Sequence, residues 1–195
     1  MSTRSNGKAG PSLHLVRHAR SAYVHHGRWM DIKGVQKFED DYNAAGIRDD
    51  SLPPAELIET ASSADVIAAS DMLRAILSAK RLAPEREPAV SPLLREIMID
   101  PPTWIPFRVP IHTWDWLNYT RLSYRLLVNA DHDDIRRADG AVDWLREHAQ
   151  ASAKVVAITH GGFRRILDAR LIASGWRRAP GPKSYANWST WSYTR

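Results

Sequence analysis

The chain has 195 residues, of which 44% are hydrophobic and 25% are charged, a composition typical of one folded domain rather than of a disordered chain. It contains no cysteine, which excludes disulfides, thiolate zinc sites, iron–sulfur clusters and cysteine nucleophiles. The net charge of +5 is spread over interspersed basic and acidic residues, so it gives little support for nucleic acid as the main partner.

The N-terminal residues 1–12 are polar and rich in small side chains. We expect them to form a flexible tail in front of a single domain that spans residues 13–195. They include no apolar segment of the kind that a secretory signal needs, and no run of about 18 apolar residues occurs in the chain. These observations predict a cytoplasmic protein with no membrane partner.

Short apolar runs alternate with helical patterns along the chain. Strands are predicted over 13–16, 65–69, 89–90 and 154–159, and the alternation over 185–193 is typical of a final edge strand. Between the strands, residues 21–52 show a mixed pattern. Helices are predicted over 55–64, 113–129 and 132–150. One more helix is predicted to begin at the capping residues Ser70 and Asp71 and to end before Pro84, and another to run from Gly162 to about Ser174. This order predicts an α/β fold, a three-layer sandwich in which helices flank a mostly parallel central sheet.

Residues 100–118 carry four prolines and three tryptophans, namely Trp104, Trp114 and Trp116. We expect a Pro/Trp-rich insertion over about 100–130 that starts as an irregular loop. Two interpretations of the tryptophans stay open, namely packing in the core and a lid that faces the substrate. In the second case, aromatic side chains would favour a leaving group that bears a ring or is otherwise apolar.

The functional site of a mostly parallel sheet lies beyond the carboxyl ends of its strands. Two histidines hold equivalent places there, because His18 follows the first strand and His160 follows strand 154–159. We therefore expect both imidazoles at the same rim of the sheet. Histidine titrates near neutral pH and serves as a nucleophile, an acid or a base, so either residue is suited to group transfer.

The residues around the two histidines are suited to a phosphoryl group. Arg17 and Arg74 lie at a strand end and a helix start, and guanidinium groups make bidentate contacts with phosphate oxygens. Backbone N–H groups at Gly161, where a helix opens, are a further candidate for anion binding. Glu96 follows a strand and offers a carboxyl group that can protonate a leaving oxygen, with Asp100 as the rival acid.

Three segments of the sequence match a known family in order. Leu15–Ser21 resembles the Arg-His-Gly signature of the histidine phosphatase superfamily, which has the phosphoglycerate-mutase-like fold. Ser70–Ala75 resembles the second-arginine block of that family, and Ile158–Arg165 resembles its second-histidine block. Glu96 stands about where the family keeps its acid. The resemblance covers roughly residues 12–175.

The resemblance implies a metal-independent phosphatase of the histidine acid type, which needs no cofactor. In the implied mechanism, His18 attacks phosphorus and becomes a phosphohistidine, while Arg17, Arg74 and His160 hold the three non-bridging oxygens. Glu96 protonates the leaving group and then activates water to hydrolyse the intermediate. The two arginines, together with His160 if it is protonated, supply the positive charge that a metal ion supplies elsewhere.

The sequence also departs from the family pattern. Ala19 stands where glycine is usual, whereas Ser21 matches the usual hydroxyl, which can donate a hydrogen bond to a phosphate oxygen. A frequent asparagine is missing further on, and His25 is a candidate for taking over its contact. After Glu96, the Pro/Trp-rich stretch replaces a Gly-x-Trp-Glu-Gly-like segment that contributes to substrate choice in the family, so the substrate stays open.

Several other polar side chains are assigned structural roles. His14 lies within the first strand and is expected to pack or pair there. Arg164 and Arg165 are expected at a solvated helix end, with a salt bridge from Arg165 to the core as the alternative. The neighbours His25 and His26 cannot easily face one ion, and no carboxylate is spaced to join them, so no metal site is predicted.

Two other functions stay open beside the phosphatase. A phosphomutase of the same fold must exclude water while its intermediate reorients, and the chain is short for the insertions that mutases carry. A non-catalytic module that binds a phosphorylated ligand has no need for both His18 and Glu96. The partner is expected to be a small phosphorylated substrate or a phosphoprotein, and segment 185–193 either pairs across a homodimer or completes the core.

Overall fold

The protein is described here from a computed structural model over residues 10–24, 29–98, 101–128, 132–150 and 153–195. Residues 1–9 of the expected tail lie outside these ranges, as do His25, His26 and Asp100. The first strand begins at Ser12, so it includes the last residue of that tail.

The described residues form eight strands and six α-helices. The strands are β1 (Ser12–Arg17), β2 (Trp29–Met30), β3 (Val66–Ser70), β4 (Ala89–Ser91), β5 (Val109–Pro110), β6 (Lys154–Thr159), β7 (Arg177–Arg178) and β8 (Thr190–Thr194). The helices are α1 (Ile32–Ala44), α2 (Ala55–Ser62), α3 (Leu73–Leu82), α4 (Ile111–Val128), α5 (Asp133–His148) and α6 (Phe163–Ala173), with a short 3-10 helix at Pro92–Leu94.

Six of the strands form one sheet in the order β4-β3-β6-β1-β8-β7. The first four of these are mutually parallel, and β8 and β7 join as antiparallel neighbours. This arrangement confirms the predicted α/β fold with a mostly parallel sheet. The register between β1 and β6 pairs Arg17 with Thr159, so the residues that follow, His18 and His160, leave the sheet at the same level.

Helices cover both faces of the sheet and complete three layers. Because successive strand residues point to opposite faces, β1 sends Leu13 and Leu15 into a core with α5 and α6. It sends Val16 into a second core, where it packs with Val156, Ile158 and the apolar faces of α2 and α3. The ends of β1 and β6 are therefore packed between helices on both faces of the sheet.

The Pro/Trp-rich segment is partly ordered into regular structure. The short strand β5 pairs with β2 in a separate two-stranded sheet, and α4 follows it directly. Trp114 of α4 is buried in a small apolar cluster with Val35 and Ile105. Among the described residues, no helix is both long enough and apolar enough to span a membrane.

Three sequence-based predictions of structure were wrong, and one helix was not predicted. Segment 185–193 does not supply an edge strand, because β8 lies between β1 and β7 and buries Trp191 and Tyr193. Helix α1 forms within the stretch that showed only a mixed pattern. The residue that caps α3 is Met72, without a side-chain cap, rather than Ser70 or Asp71. Arg164 is fully buried rather than solvated, because backbone carbonyls surround its guanidinium.

Candidate active site

The two strand-end histidines lie side by side. The ring centroids of His18 and His160 are 5.0 Å apart, with an angle of 57° between the ring planes. The His18 side chain is 1% exposed and His160 is fully buried. The backbone N–H of His18 also donates to the carbonyl of Thr159, which joins the ends of β1 and β6 directly.

Hydrogen bonds fix the orientation of the His18 ring. Its Nδ1 lies 2.6 Å from the carbonyl oxygen of Ala19, and its Nε2 lies 3.3 Å from Nε of Arg74. Since the arginine can only donate, Nε2 accepts and the proton lies on Nδ1. The pKa of His18 is lowered to about 3, mainly by burial and to a smaller extent by the nearby Arg74 and Arg17. The ring is therefore neutral at pH 7, with its lone pair on Nε2.

Arg74 is held in the first turn of α3 as a buried cation. Its guanidinium donates to the carbonyl of Tyr42 and to Oδ1 of Asn43, and it lies 4.6 Å from the centroid of the Tyr42 ring. Burial lowers the pKa of Arg74 from its usual value. Ser78 ties α3 to the turn after β1, because its hydroxyl accepts from Ala19 N–H and donates to the Arg74 carbonyl.

Several polar atoms around the histidines are buried without a partner in the described part of the chain. They are Nε of Arg17 and both ring nitrogens of His160. Burial lowers the pKa of His160 well below its usual value, and His18 and Arg74 add to this shift. His160 is therefore neutral at pH 7, and it offers a hydrogen bond rather than the charge considered from the sequence. Buried polar atoms without partners point to a polar ligand, because such atoms are rare in folded proteins.

Glu96 occupies the amino end of α6. Its carboxylate accepts from the backbone N–H of Phe163 at 2.7 Å and of Gly162 at 3.2 Å, and also from Ile97 at 3.0 Å. A Cβ at Gly162 would lie 2.8 Å from Oε1 of Glu96, so only glycine allows this approach. Some of the N–H groups at the start of α6, which the sequence suggested as phosphate donors, therefore donate to Glu96. Gly161 lies against the Arg17 side chain.

Ser21 is placed differently from the other candidates. Its hydroxyl accepts from the backbone N–H of Tyr23, and its backbone forms an isolated bridge with Ile47. None of the described contacts joins Ser21 to the two histidines or the two arginines. The contacts of Ser21 in this structure are therefore those of a turn residue and not those of a phosphate ligand.

A cleft of about 610 Å³ opens beside these residues. Its walls come from α1, the start of α3, the segment after the 3-10 helix, α4 and the start of α5. Arg74 and Glu96 belong to this lining, and Arg74 connects it to His18. Neither Tyr42 nor Asn43 was predicted, because both lie on α1, which was not recognised in the sequence.

The three tryptophans of the Pro/Trp-rich segment do not line this cleft. Trp114 is 1% exposed and donates from Nε1 to the carbonyl of Met30, so the core interpretation is confirmed for it. Trp104 and Trp116 are mostly exposed. Among the described residues, no group of three or more histidines, aspartates or glutamates could hold a metal ion.

The sheet order matches the phosphoglycerate-mutase-like α/β fold that the sequence motifs predicted, and solved phosphatases share this fold. A phosphoserine phosphatase from Entamoeba histolytica, solved with 3-phosphoglyceric acid, has a TM-score of 0.57 and 14% identity over 93% of this chain and 89% of that chain. A histidine-to-alanine mutant of the Entamoeba histolytica enzyme with phosphoserine has a TM-score of 0.54 and 15% identity over the same shares, 93% and 89%.

A third solved structure with this fold is mycobacterial hydrolase 1, with a TM-score of 0.52 and 17% identity over 84% of this chain and 81% of that chain. No protein-family model matches the sequence, and no curated protein matches it significantly. At these identities the similarity establishes a shared fold.

Proposed function

We propose that the protein is a metal-independent phosphatase that hydrolyses a phosphate monoester through a phosphohistidine formed on His18. The observation that carries the proposal is the pair of buried histidines at adjacent strand ends, with Arg74 in contact with Nε2 of His18. A neutral imidazole beside a guanidinium is suited to attack on phosphorus, since arginine balances the charge of the phosphoryl oxygens. The fold shared with a phosphoserine phosphatase agrees with this activity.

The first step transfers the phosphoryl group to His18. The Nε2 lone pair forms a bond to phosphorus while the bond from phosphorus to the leaving oxygen breaks. The Ala19 carbonyl accepts the Nδ1–H bond and stabilises the positive charge that the ring gains. Arg17 and Arg74 contact the non-bridging oxygens as cations, and neutral His160 contacts them through a hydrogen bond.

Glu96 carries the proton in both steps. It gives a proton to the leaving oxygen, and in the second step it takes one from the water that attacks the phosphohistidine. The bond between Nε2 and phosphorus then breaks, and inorganic phosphate leaves. Because the carboxylate accepts N–H groups of α6, we infer that the side chain turns away from Gly162 and Phe163 when it acts as the acid.

The proposed function is tested by hydrolysis of p-nitrophenyl phosphate between pH 5 and 8 in excess EDTA. The wild-type protein is compared with His18→Ala and with a matched control, His112→Ala, which removes an exposed histidine of α4. We expect turnover that EDTA does not reduce, that is lost in His18→Ala and that persists in the control. Turnover that survives in His18→Ala, or that requires a metal ion, would refute the proposal.

The same preparation separates the two alternatives. A phosphomutase would isomerise a phosphorylated metabolite without releasing inorganic phosphate. A binding module would bind phosphate but hydrolyse none of a panel of phosphate esters. A single domain over residues 13–195, a cytoplasmic location and a homodimer remain predictions from the sequence.

A further inference from the structure

One wall of the cleft is aromatic and begins at Arg74. The Arg74 guanidinium lies over the ring of Tyr42 in a cation–π contact. The Tyr42 ring also stacks with Phe38 at a centroid distance of 5.8 Å and an angle of 20°. Tyr23 meets Phe38 edge-on at 5.3 Å and supports the pair. A cluster of aromatic side chains therefore adjoins the side chain that contacts the proposed nucleophile.

Apolar side chains continue around the cleft from this wall. Leu73 and Met98 belong to its lining and are 45% and 70% exposed, and Ile97 lies between Glu96 and Met98. Exposed apolar side chains in a concave site are stabilised when a ligand covers them, because their surface leaves water.

Two of the acidic side chains on the lining are paired with arginines. Asp71 forms a two-oxygen ion pair with Arg95, with both contacts at 2.6 Å. Asp134 pairs with Arg137 at 2.6 Å. Arg121 also lies on the lining. The competing hypothesis is therefore a substrate whose leaving group carries a carboxylate that Arg121 binds.

On the basis of the proposed function, we propose that the substrates are phosphate monoesters whose leaving group is apolar and bears a ring. The phosphoryl group lies against Arg74, and the ring lies against Phe38 and Tyr42. The cleft volume of about 610 Å³ falls in the range of sites that enclose ligands larger than a three-carbon metabolite.

The test compares benzyl phosphate with glycerol 3-phosphate and phosphoserine, all of which are esters of primary alcohols, so their leaving groups have similar basicity. We expect kcat/KM for benzyl phosphate to exceed the other two by about tenfold or more, the size of discrimination that apolar pockets achieve. Phe38→Ala should remove most of this preference. The matched control is Phe107→Ala, which removes an exposed ring that is not on the lining.

Equal kcat/KM values for the three esters would overturn the inference, and so would a preference for phosphoserine, which would assign the cleft to a carboxylate. If none of these esters and no p-nitrophenyl phosphate is hydrolysed, the proposed function itself fails. Calorimetric titration with benzylphosphonate and methylphosphonate then decides the inference, and equal affinities would overturn it.

A second, independent observation concerns the chain that precedes β8. Segment 184–189 holds the end of β1 through its backbone, because Trp188 N–H donates to the Arg17 carbonyl and the Ser189 carbonyl accepts from Arg17 N–H. Asn187 donates from its side chain to the His18 carbonyl at 2.9 Å. Trp188 has a φ of 62°, a conformation that a bulky residue adopts only when its surroundings enforce it.

Arg164 holds this segment in place from α6. Its guanidinium donates to the carbonyls of Ser184 at 2.8 Å and Ser189 at 2.6 Å, and it lies 4.0 Å from the centroid of the Trp191 ring. Burial lowers the pKa of Arg164 to about 10, so it stays a cation at pH 7. A buried cation that binds backbone carbonyls fixes the course of the chain that supplies them.

We infer that Arg164 and Asn187 are positioning residues for the proposed reaction. They act through segment 184–189, which sets the backbone of Arg17 and His18. A small displacement of a nucleophile is costly, since a misplacement of about 1 Å can lower the rate by about 100-fold. This inference also rests on the proposed function.

The variants Asn187→Ala, Arg164→Lys and Arg164→Met test this inference, with Arg170→Met as the matched control on the same helix. Arg170 pairs with Asp139 in a half-exposed ion pair. We expect Asn187→Ala to stay folded and to lose about tenfold or more in kcat with little change in KM. Arg164→Lys should retain more kcat than Arg164→Met, since it keeps the cation.

A purely structural role would lower Tm and the folded fraction but leave kcat per folded molecule unchanged. If Asn187→Ala has wild-type kcat, the inference is wrong, even if both Arg164 variants fail to fold. If the wild-type protein hydrolyses no phosphate ester, the proposed function fails, and the positioning role is then excluded with it.

Discussion

Acidification should destabilise the protein through His18, because its pKa is about 3 in the folded chain and about 6.5 in the unfolded chain. Between these values the unfolded chain binds a proton that the folded chain does not bind. The free energy of unfolding therefore falls as the pH decreases below 6.5, by roughly 1.4 kcal/mol for each pH unit. Between pH 8 and pH 4.5 this amounts to about 3 kcal/mol for His18.

The measurement is urea unfolding of the wild-type protein and His18→Asn across this pH range. Asparagine removes the titrating group and keeps a donor that can reach the Ala19 carbonyl. Because His160 and His14 also have lowered pKa values, both proteins should lose stability in acid. The wild-type protein should lose about 3 kcal/mol more than the variant between pH 8 and 4.5.

The matched control is His112→Asn, which removes an exposed imidazole and should leave the wild-type profile in place. If the wild-type and His18→Asn curves stay parallel down to pH 4.5, the assignment of a buried, neutral His18 is wrong. That result would also remove the physical basis for Nε2 as the nucleophile.

The other predictions concern the wall of the site and the packing of the insertion. Glu96→Gln should lower kcat for alkyl phosphates by about 100-fold or more while Tm changes little, because the amide oxygen can still accept the α6 N–H groups but the side chain cannot carry the proton; unchanged kcat would exclude the proton-carrying role. Arg74→Lys should lower kcat/KM for phosphate esters by about 100-fold, because lysine cannot reproduce the guanidinium contacts. A change of less than twofold would argue against a role for Arg74 in binding the phosphoryl group. Trp114→Ala should lower the free energy of unfolding, measured with urea, by about 3–5 kcal/mol, whereas Trp116→Ala should lower it by less than about 0.5 kcal/mol. If the two variants lose similar amounts of stability, the burial of Trp114 is contradicted.

The central sheet was predictable from the sequence because its parallel strands are buried on both faces. β6 reads as an unbroken apolar run, and its burial is nearly complete. Helix α1 was missed for a physical reason: only Val35 is buried among its described residues, so no apolar stripe marks it in the sequence. The interior place of β8 was not predictable, because its outer neighbour β7 is only two residues long.

The candidate site was predictable to the extent that its residues end strands. His18 and His160 were assigned to one rim of the sheet, and the parallel register of β1 and β6 brings them together. Arg164 was misplaced because its partners lie 20 to 25 residues along the chain, in segment 184–189, and charge alone does not reveal them. The aromatic wall of Phe38 and Tyr42 was missed together with its helix.

The most direct test of the account is to trap the covalent intermediate. The wild-type protein is mixed rapidly with p-nitrophenyl phosphate, quenched in alkali, which preserves phosphohistidine, and mapped by peptide mass spectrometry. We predict one phosphoryl group on His18, and none on the corresponding peptide of His18→Ala. Turnover of the ester without any phosphorylated peptide, or phosphate on another residue while His18→Ala stays active, would contradict the central claim.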